Sequence, residues 1–317
     1  MADFSVSMHA PVLKYFAEVA ACGSIRKAAE RLYVASSAVN RQIILLEDEL
    51  GTPLFDRLPN GVRLTPAGAR LLQHAQETLH GFSLMRADLK ALPGEKTGHV
   101  TVSAMDSLFL NVLLDAVRAF GSSNPAVTYA LNCAPAYEVM SEVASGQSDV
   151  GVCFVNSDLP TGVHVHASVA LPPGVMMAAG HPLSAHADLT LNDCKGYPLV
   201  RHGAHVMTMR RVFEASFVSS WNALDTRLSC NFAPMLKALV LDGHYISFFS
   251  KISWIPELQS GKAVWRPLRE SGMENMRLAV VVPSTRQLSS ATAGFADLLA
   301  QLLQDACVAI DKITPAG

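Results

Sequence analysis

Ser36, Ser37, Asn40 and Arg41 sit together at the start of a segment whose other positions are apolar at three- and four-residue steps. Hydroxyls, an amide and a guanidinium are the groups that hydrogen-bond to base edges in the DNA major groove. Ser24, Arg26, Arg31, Arg57 and Arg63 flank this segment, where a hydroxyl or guanidinium can meet a phosphate. These nine residues are the candidate DNA contacts. No comparable set supports catalysis. His164 and His166 share one strand face, yet no nearby Cys or carboxylate completes a metal set. His202 and His205 are similarly incomplete. Gly-x-Ser-x-Gly, the Walker A loop and Gly-x-Gly-x-x-Gly are absent. The chain is therefore read as a non-enzyme with no metal and no cofactor.

The candidate contacts need a scaffold, and hydrophobic periodicity supplies one. Leu13, Phe16, Ala17, Ala20 and Ala21 mark one helix face. Gly23 stops that helix and Ser24 caps the next, which turns Ile25, Ala28, Ala29 and Leu32 inward. Tyr33 and Val34 make a turn, and a third helix over 36–50 buries Val39, Ile43, Leu46 and Leu50. Asn60-Gly61, between Leu58 and Val62, suits a two-residue hairpin turn with positive φ at both positions. The order is that of a winged helix-turn-helix, residues 1–65, which places one helix in the major groove. Thr65-Pro66 then starts a long linker helix, and residues 66–95 form the linker. Leu71, Ala75, Thr78, Phe82, Met85 and Leu89 form a heptad-like stripe along it, expected to pair two chains.

Charge alone does not suggest nucleic acid. The 317 residues carry a net charge of −2, and residues 1–65 hold seven Lys/Arg against seven Asp/Glu. Affinity for DNA must come from where the arginines are placed, and a single copy should bind weakly, which makes dimerisation important. No signal peptide precedes the first helix, and no apolar stretch reads as a membrane span. Six cysteines without a Cys-x-x-Cys pair look like free thiols of a cytoplasmic protein.

After Pro93-Gly94 the pattern changes to alternating strands and helices, the mark of a parallel sheet with right-handed crossovers. Strands are expected near 99–104, 127–131, 149–154, 175–179, 198–200, 227–230, 243–249 and 276–281, with a closing helix at about 290–310. Residues 96–317 then form two α/β lobes resembling a periplasmic-binding-protein fold. Lobe 1 takes about 96–167 plus 268–312 and lobe 2 about 168–267, with crossings near Ala167 and Pro267. In such folds ligands bind beyond the strand C-termini, where helix N-termini offer free N–H groups. That rule selects Asp106 and Ser107 after the first strand, Asn132 after the second, Arg201 and His202 in the second lobe, and Phe232 with Phe248 near the cleft floor. Arg201 could grip a carboxylate bidentately. Ser107 is equally a helix N-cap, and Phe248 equally a core residue.

The N-terminal segment also resembles the DNA-binding domain of the LysR-type transcriptional regulators. The match runs without gaps through Ala28-Ala29-Glu30-Arg31-Leu32, Arg41-Gln42-Ile43, Leu46-Glu47, Glu49-Leu50-Gly51, Pro53-Leu54-Phe55, Arg57 and Leu64-Thr65-Pro66-Ala67-Gly68. The length and order of the remainder fit the same family. The resemblance implies a DNA-binding regulator controlled by a small-molecule effector, forming dimers or tetramers on a double-stranded operator, with RNA polymerase as a further partner. Three places depart from the family pattern. Ala35-Ser36 replaces the usual Ser-Gln, so Ser36 is expected to cap one residue late; Tyr245 stands where Gly is common, and Ser250 where Pro is usual. The last two alter the expected pocket, whose ligand is read as a small organic acid or an aromatic compound. Two alternatives each explain half the chain. A DNA-architectural protein accounts for the N-terminus, and a solute-binding module for residues 96–317.

Overall fold

Residues 11–59, 61–90, 96–155, 159–203 and 215–313 are described by the computed structural model, and the chain divides into two units between Pro93 and Gly94. In the first unit, α1 (Pro11–Cys22), α2 (Ile25–Leu32) and α3 (Ser36–Leu50) pack around Phe16, Val19, Ala28, Ala29, Val39 and Ile43. Small residues at Ala28 and Ala29 let the helices cross closely. Ser24 caps α2, its Oγ accepting from the Lys27 amide at 3.4 Å. Tyr33 ends α2 in the left-handed conformation at φ 55°, with its side chain almost fully exposed. Leu50 does not join the core as its period predicts. It is 47% exposed at the last helical position, where the chain has already turned outward into Gly51.

The wing is a hairpin of β1 (Phe55–Leu58) and β2 (Gly61–Leu64). Its register places Leu58 opposite Gly61. The turn therefore lies between Leu58 and Gly61, one residue earlier than expected; Asn60 itself lies outside the described residues. Gly61 has a different task. The Val62 amide donates to the Gly23 carbonyl at 2.9 Å, and a β-carbon at Gly61 would collide with that same oxygen. Thr65 opens α4 (Pro66–Lys90), its hydroxyl accepting from the Gly68 amide at 3.0 Å.

The second unit begins with β3 (Gly98–Ala104), α5 (Leu114–Ser123), β4 (Val127–Cys133), α6 (Ala136–Ser145), β5 (Val150–Val155) and β6 (Val163–Ala170). The helix expected from Ser107 onward starts instead as a 3-10 turn, Asp106–Leu108, followed by a wider π turn, Phe109–Leu113. Lobe 2 holds β7 (Gly174–Ala178), β8 (Leu199–His202), α7 (Ala215–Asn222), β9 (Thr226–Cys230), α8 (Ala233–Leu241), β10 (Ser247–Phe249), α9 (Ile255–Gln259) and β11 (Ala263–Pro267). The chain returns to lobe 1 with β12 (Arg277–Pro283) and α10 (Ser290–Asp311).

Lobe 1 is a five-stranded sheet in the order β4-β3-β5-β12-β6. Strands β3, β4 and β5 are parallel, and β12 enters antiparallel between β5 and β6. That insertion joins the last strand to the first set. In lobe 2, β7 pairs antiparallel with β10 and β11, while β8 and β9 are parallel. Strand β11 was not anticipated from the sequence. Ala167 lies inside β6, so the outward crossing comes a few residues later, where the Leu171 amide donates to the Met276 carbonyl of the returning chain at 3.2 Å. By length and composition α10 could cross a membrane, although Asp297 and Asp305 interrupt its apolar run. Its Phe295, Ala296, Leu299 and Leu303 are buried in the lobe 1 core.

Candidate functional site

Two faces gather the candidate residues, one in each unit. On the first, α3 begins at Ser36 with Ala35 in the cap position and no side-chain capping bond. Ser36 is thus the first helical residue and not a late cap, because the backbone bends into the helix at Ala35 whether or not that side chain can cap. Ser36, Ser37 and Arg41 are exposed, and Arg41 has no protein partner among the described residues. Asn40 accepts a hydrogen bond from Arg57 Nη1 of the wing at 3.2 Å, which ties helix and wing together. The remaining arginines are held in exposed ion pairs: Arg26 with Glu30 and Arg31 with Glu18, both at 3.2 Å, and Arg63 with Asp56 at 3.3 Å. Exposed pairs of this kind contribute little and exchange readily for another anion.

The stripe on α4 is not continuous as a partner surface. Ala75 is fully buried in the first unit's own core, and Leu71 packs against that core. The C-terminal turns carry the half-buried Thr78, Phe82 and Met85; the Leu89 side chain lies outside the described residues.

The second face is the cleft of the second unit, centred on Asp106. Its Oδ2 accepts from the Ala233 amide at 2.7 Å and from His202 Nε2 at 3.2 Å. Asp106 belongs to lobe 1, whereas Ala233 begins α8 and His202 ends β8 in lobe 2. One carboxylate therefore spans the cleft. Both side chains are largely buried, at 12% and 7% exposure. Burial pushes the Asp106 carboxyl up, but His202 and the Ala233 and Ser107 amides outweigh it and hold the group below the ordinary carboxylate range. A cavity of about 230 Å³ adjoins this contact, lined in part by Ser107, Leu110, Pro234, Phe249 and Trp254.

Other predicted cleft residues are placed differently. Arg201 alternates with His202 along β8 and turns to the opposite face. It is buried against the Trp221 ring, 4.9 Å from the centroid, and Nη2 donates to the Trp221 carbonyl at 2.7 Å. This burial lowers its pKa and leaves it no reach into the cavity. Phe248 is core, its ring 4.4 Å from Trp221. Phe232 and Asn132 are exposed. Lys237 is a cavity residue the sequence reading missed. Its Nζ donates to the Ser253 carbonyl at 2.7 Å and pairs with Glu257 at 3.1 Å. Pro234, one residue into α8, was a legible sign of that helix start. Nothing in the local pattern of 250–257 signalled that it would return to the cleft.

Among the described residues no three metal-ligating side chains cluster, and His166 pairs with Asp297 at 2.8 Å. All six cysteines are free. Burial pushes Cys153 and Cys194 up to about 12, while Cys133 is exposed near Asp106.

Comparison with known proteins matches both units. Residues 12–69 match the bacterial regulatory helix-turn-helix protein, LysR family, and residues 93–304 match the LysR substrate binding domain. The RuBisCO operon transcriptional regulator of Acidithiobacillus ferrooxidans is 26% identical over 291 residues, spanning 90% of this chain and 92% of that protein. The regulator ClcR of Pseudomonas putida is 32% identical over 139 residues, 44% of this chain and 47% of ClcR. Among solved structures, a full-length OxyR variant from Pseudomonas aeruginosa superposes with a TM-score of 0.63 at 18% identity, covering 93% of this chain and 95% of that one. CbnR, a LysR family transcriptional regulator, gives 0.54 at 20% identity, covering 93% and 99%. At these identities the two structures show a shared fold.

Proposed function

Since the chain belongs to the LysR family of transcriptional regulators, a DNA-binding helix-turn-helix joined to an effector-binding domain, we propose that α3 reads an operator through Ser36, Ser37, Asn40 and Arg41. Arg57 and Arg63 of the wing, with Ser24, Arg26 and Arg31, meet phosphates and set the register. The carrying observation is the exposed Arg41, unpaired among the described residues, beside Asn40, which the wing's Arg57 orients. Guanidinium and amide groups so placed can bond base edges, and phosphate contacts position them. Two chains pair through the C-terminal turns of α4, at Thr78, Phe82 and Met85, and set two recognition helices in successive major grooves about 34 Å apart. Further pairing of effector domains makes a tetramer. The protein works in the cytoplasm, where RNA polymerase is a further partner.

The effector binds between the two α/β lobes, beside Asp106 and Ser107. It changes DNA binding only through its differential affinity for two arrangements of the assembly. Selection of bound fragments from host genomic DNA tests the reading, and an inverted repeat beside a promoter is the expected product. On that repeat Arg41→Ala should weaken binding about 5- to 100-fold, the range of one good base contact, with assembly intact by light scattering. Unchanged affinity would remove Arg41 from the interface.

A further inference from the structure

A helix N-terminus attracts anions because its first amides have no partner within the helix. In the cleft the N-terminus of α8 already has one. The Asp106 carboxylate accepts from the Ala233 amide at 2.7 Å and from His202 at 3.2 Å. Lys237, a cation lining the cavity, is also engaged, since it meets Glu257 and the Ser253 carbonyl. Asn111 spends its amide on the Ile252 carbonyl at 2.8 Å and its carbonyl oxygen on the Val112 amide at 2.7 Å. What remains facing the cavity is apolar, from Leu110, Pro234, Phe249 and Trp254, together with the Ser107 hydroxyl, unpaired among the described residues.

We propose that Asp106 fills the cleft's anion position from within the chain, so that the adjoining cavity selects an uncharged, largely apolar ligand over a carboxylate. An entering carboxylate would have to displace a covalently attached competitor whose local concentration no free ligand matches. It would also meet a second negative charge within a few ångströms. An uncharged molecule stacks on the apolar walls, takes the Ser107 hydroxyl and leaves the Asp106 contact in place. This assignment makes Asp106 a specificity-determining residue, and of the two expected ligand classes it favours an uncharged aromatic compound over a small organic acid. It rests on reading the cleft as the effector site.

The test compares the full chain with Asp106→Ala, using benzoate and its uncharged counterpart benzamide at matched ionic strength. The readout is the unfolding midpoint of the effector unit. Benzoate should raise the midpoint of Asp106→Ala by several degrees and leave the unsubstituted protein where chloride leaves it. Benzamide should not separate the two proteins. Equal benzoate gains in both, no benzoate gain in the variant, or a benzamide gain confined to the variant would each overturn the proposal. Asp106→Asn serves where the alanine variant does not fold. It keeps the shape and one acceptor oxygen but loses the charge, and its midpoint should fall by several degrees because the position calls for that charge. An unchanged midpoint would refute that. Operator binding measured on the same samples separates the two readings. A benzoate gain confined to Asp106→Ala, with operator binding indifferent to every variant and ligand, would keep the Asp106 assignment and remove the cleft from regulation.

Discussion

Among the described residues both units carry exposed ion pairs, such as Arg227 with Asp225 in the effector unit, but only the effector unit also buries pairs. In the DNA-binding unit, Arg26, Arg31 and Arg63 pair with neighbouring carboxylates while their side chains stay 69–76% exposed. In the effector unit, Asp106 with His202 and Asp149 with Arg286 are held at 12% exposure or less. An exposed pair gains little from its partner and remains hydrated, so it can be exchanged for a phosphate at small cost. A buried charge has given up its hydration and depends on its partner. The first arrangement suits a surface that changes partners, and the second suits a scaffold that fixes a cavity.

The sharpest way to break this contrast is to remove a buried partner. Arg286 donates to Asp149 at 2.9 Å, and Asp149 also accepts from the Thr101 amide at 2.8 Å, tying β3 to the end of β12. Arg286→Met should cost the effector unit about 3–5 kcal/mol, since it removes a charged partner from a buried carboxylate. Calorimetry should show the loss, and a midpoint within error of the parent would end the argument. A smaller effect is expected from pH at Asp106, with His202 and Cys133 the titratable groups beside it. Its folded pKa lies below the unfolded value of about 3.9. The stabilisation is therefore present above that value and lost as the pH falls through the folded one. The advantage of the unsubstituted protein over Asp106→Asn should narrow below about pH 4; an advantage that grows with acid would reverse the sign.

Thiol labelling probes the same contrast without substitution. Cys133 should react with an aromatic disulfide reagent in the native state. Cys153 and Cys194, buried and held near 12, should react only as the unit unfolds. Early labelling of Cys153 would mean that the lobe 1 core opens easily. The smallest effect belongs to Arg63→Ala, which should leave the melting midpoint of the DNA-binding unit within error while reducing the salt dependence of operator binding by about one ion. A clear drop in the midpoint would show that the wing pair is structural.

Much of the first unit was legible because its signals are local. Ser24 caps where a hydroxyl before an apolar period should cap, Thr65-Pro66 opens the long helix, and Ala28-Ala29 marks a close crossing. The errors there came from register and from ends. The hairpin turn shifted by one residue because the Gly61 contact with Gly23, thirty-eight positions earlier, decides the pairing. Ser36 was misjudged as a late cap because the backbone at Ala35 already takes the cap conformation. Ala75 fitted a heptad stripe equally well as a core residue, since both faces obey the same spacing.

By itself the sequence determined the order of elements, the winged helix-turn-helix with its candidate base contacts, and the loops beyond the strand ends of an α/β domain. Periodicity, caps and turn residues act within a few positions, so a linear reading reaches them. Only the tertiary structure decided which of those loops meet. It brought Asp106 against His202 and Ala233, 96 and 127 residues away. It turned Arg201 from the cleft into the Trp221 face, and it returned 250–257 to line the cavity. Those outcomes depend on how strands from distant segments share a sheet, and on which face of β8 each side chain takes once that sheet is packed on both sides.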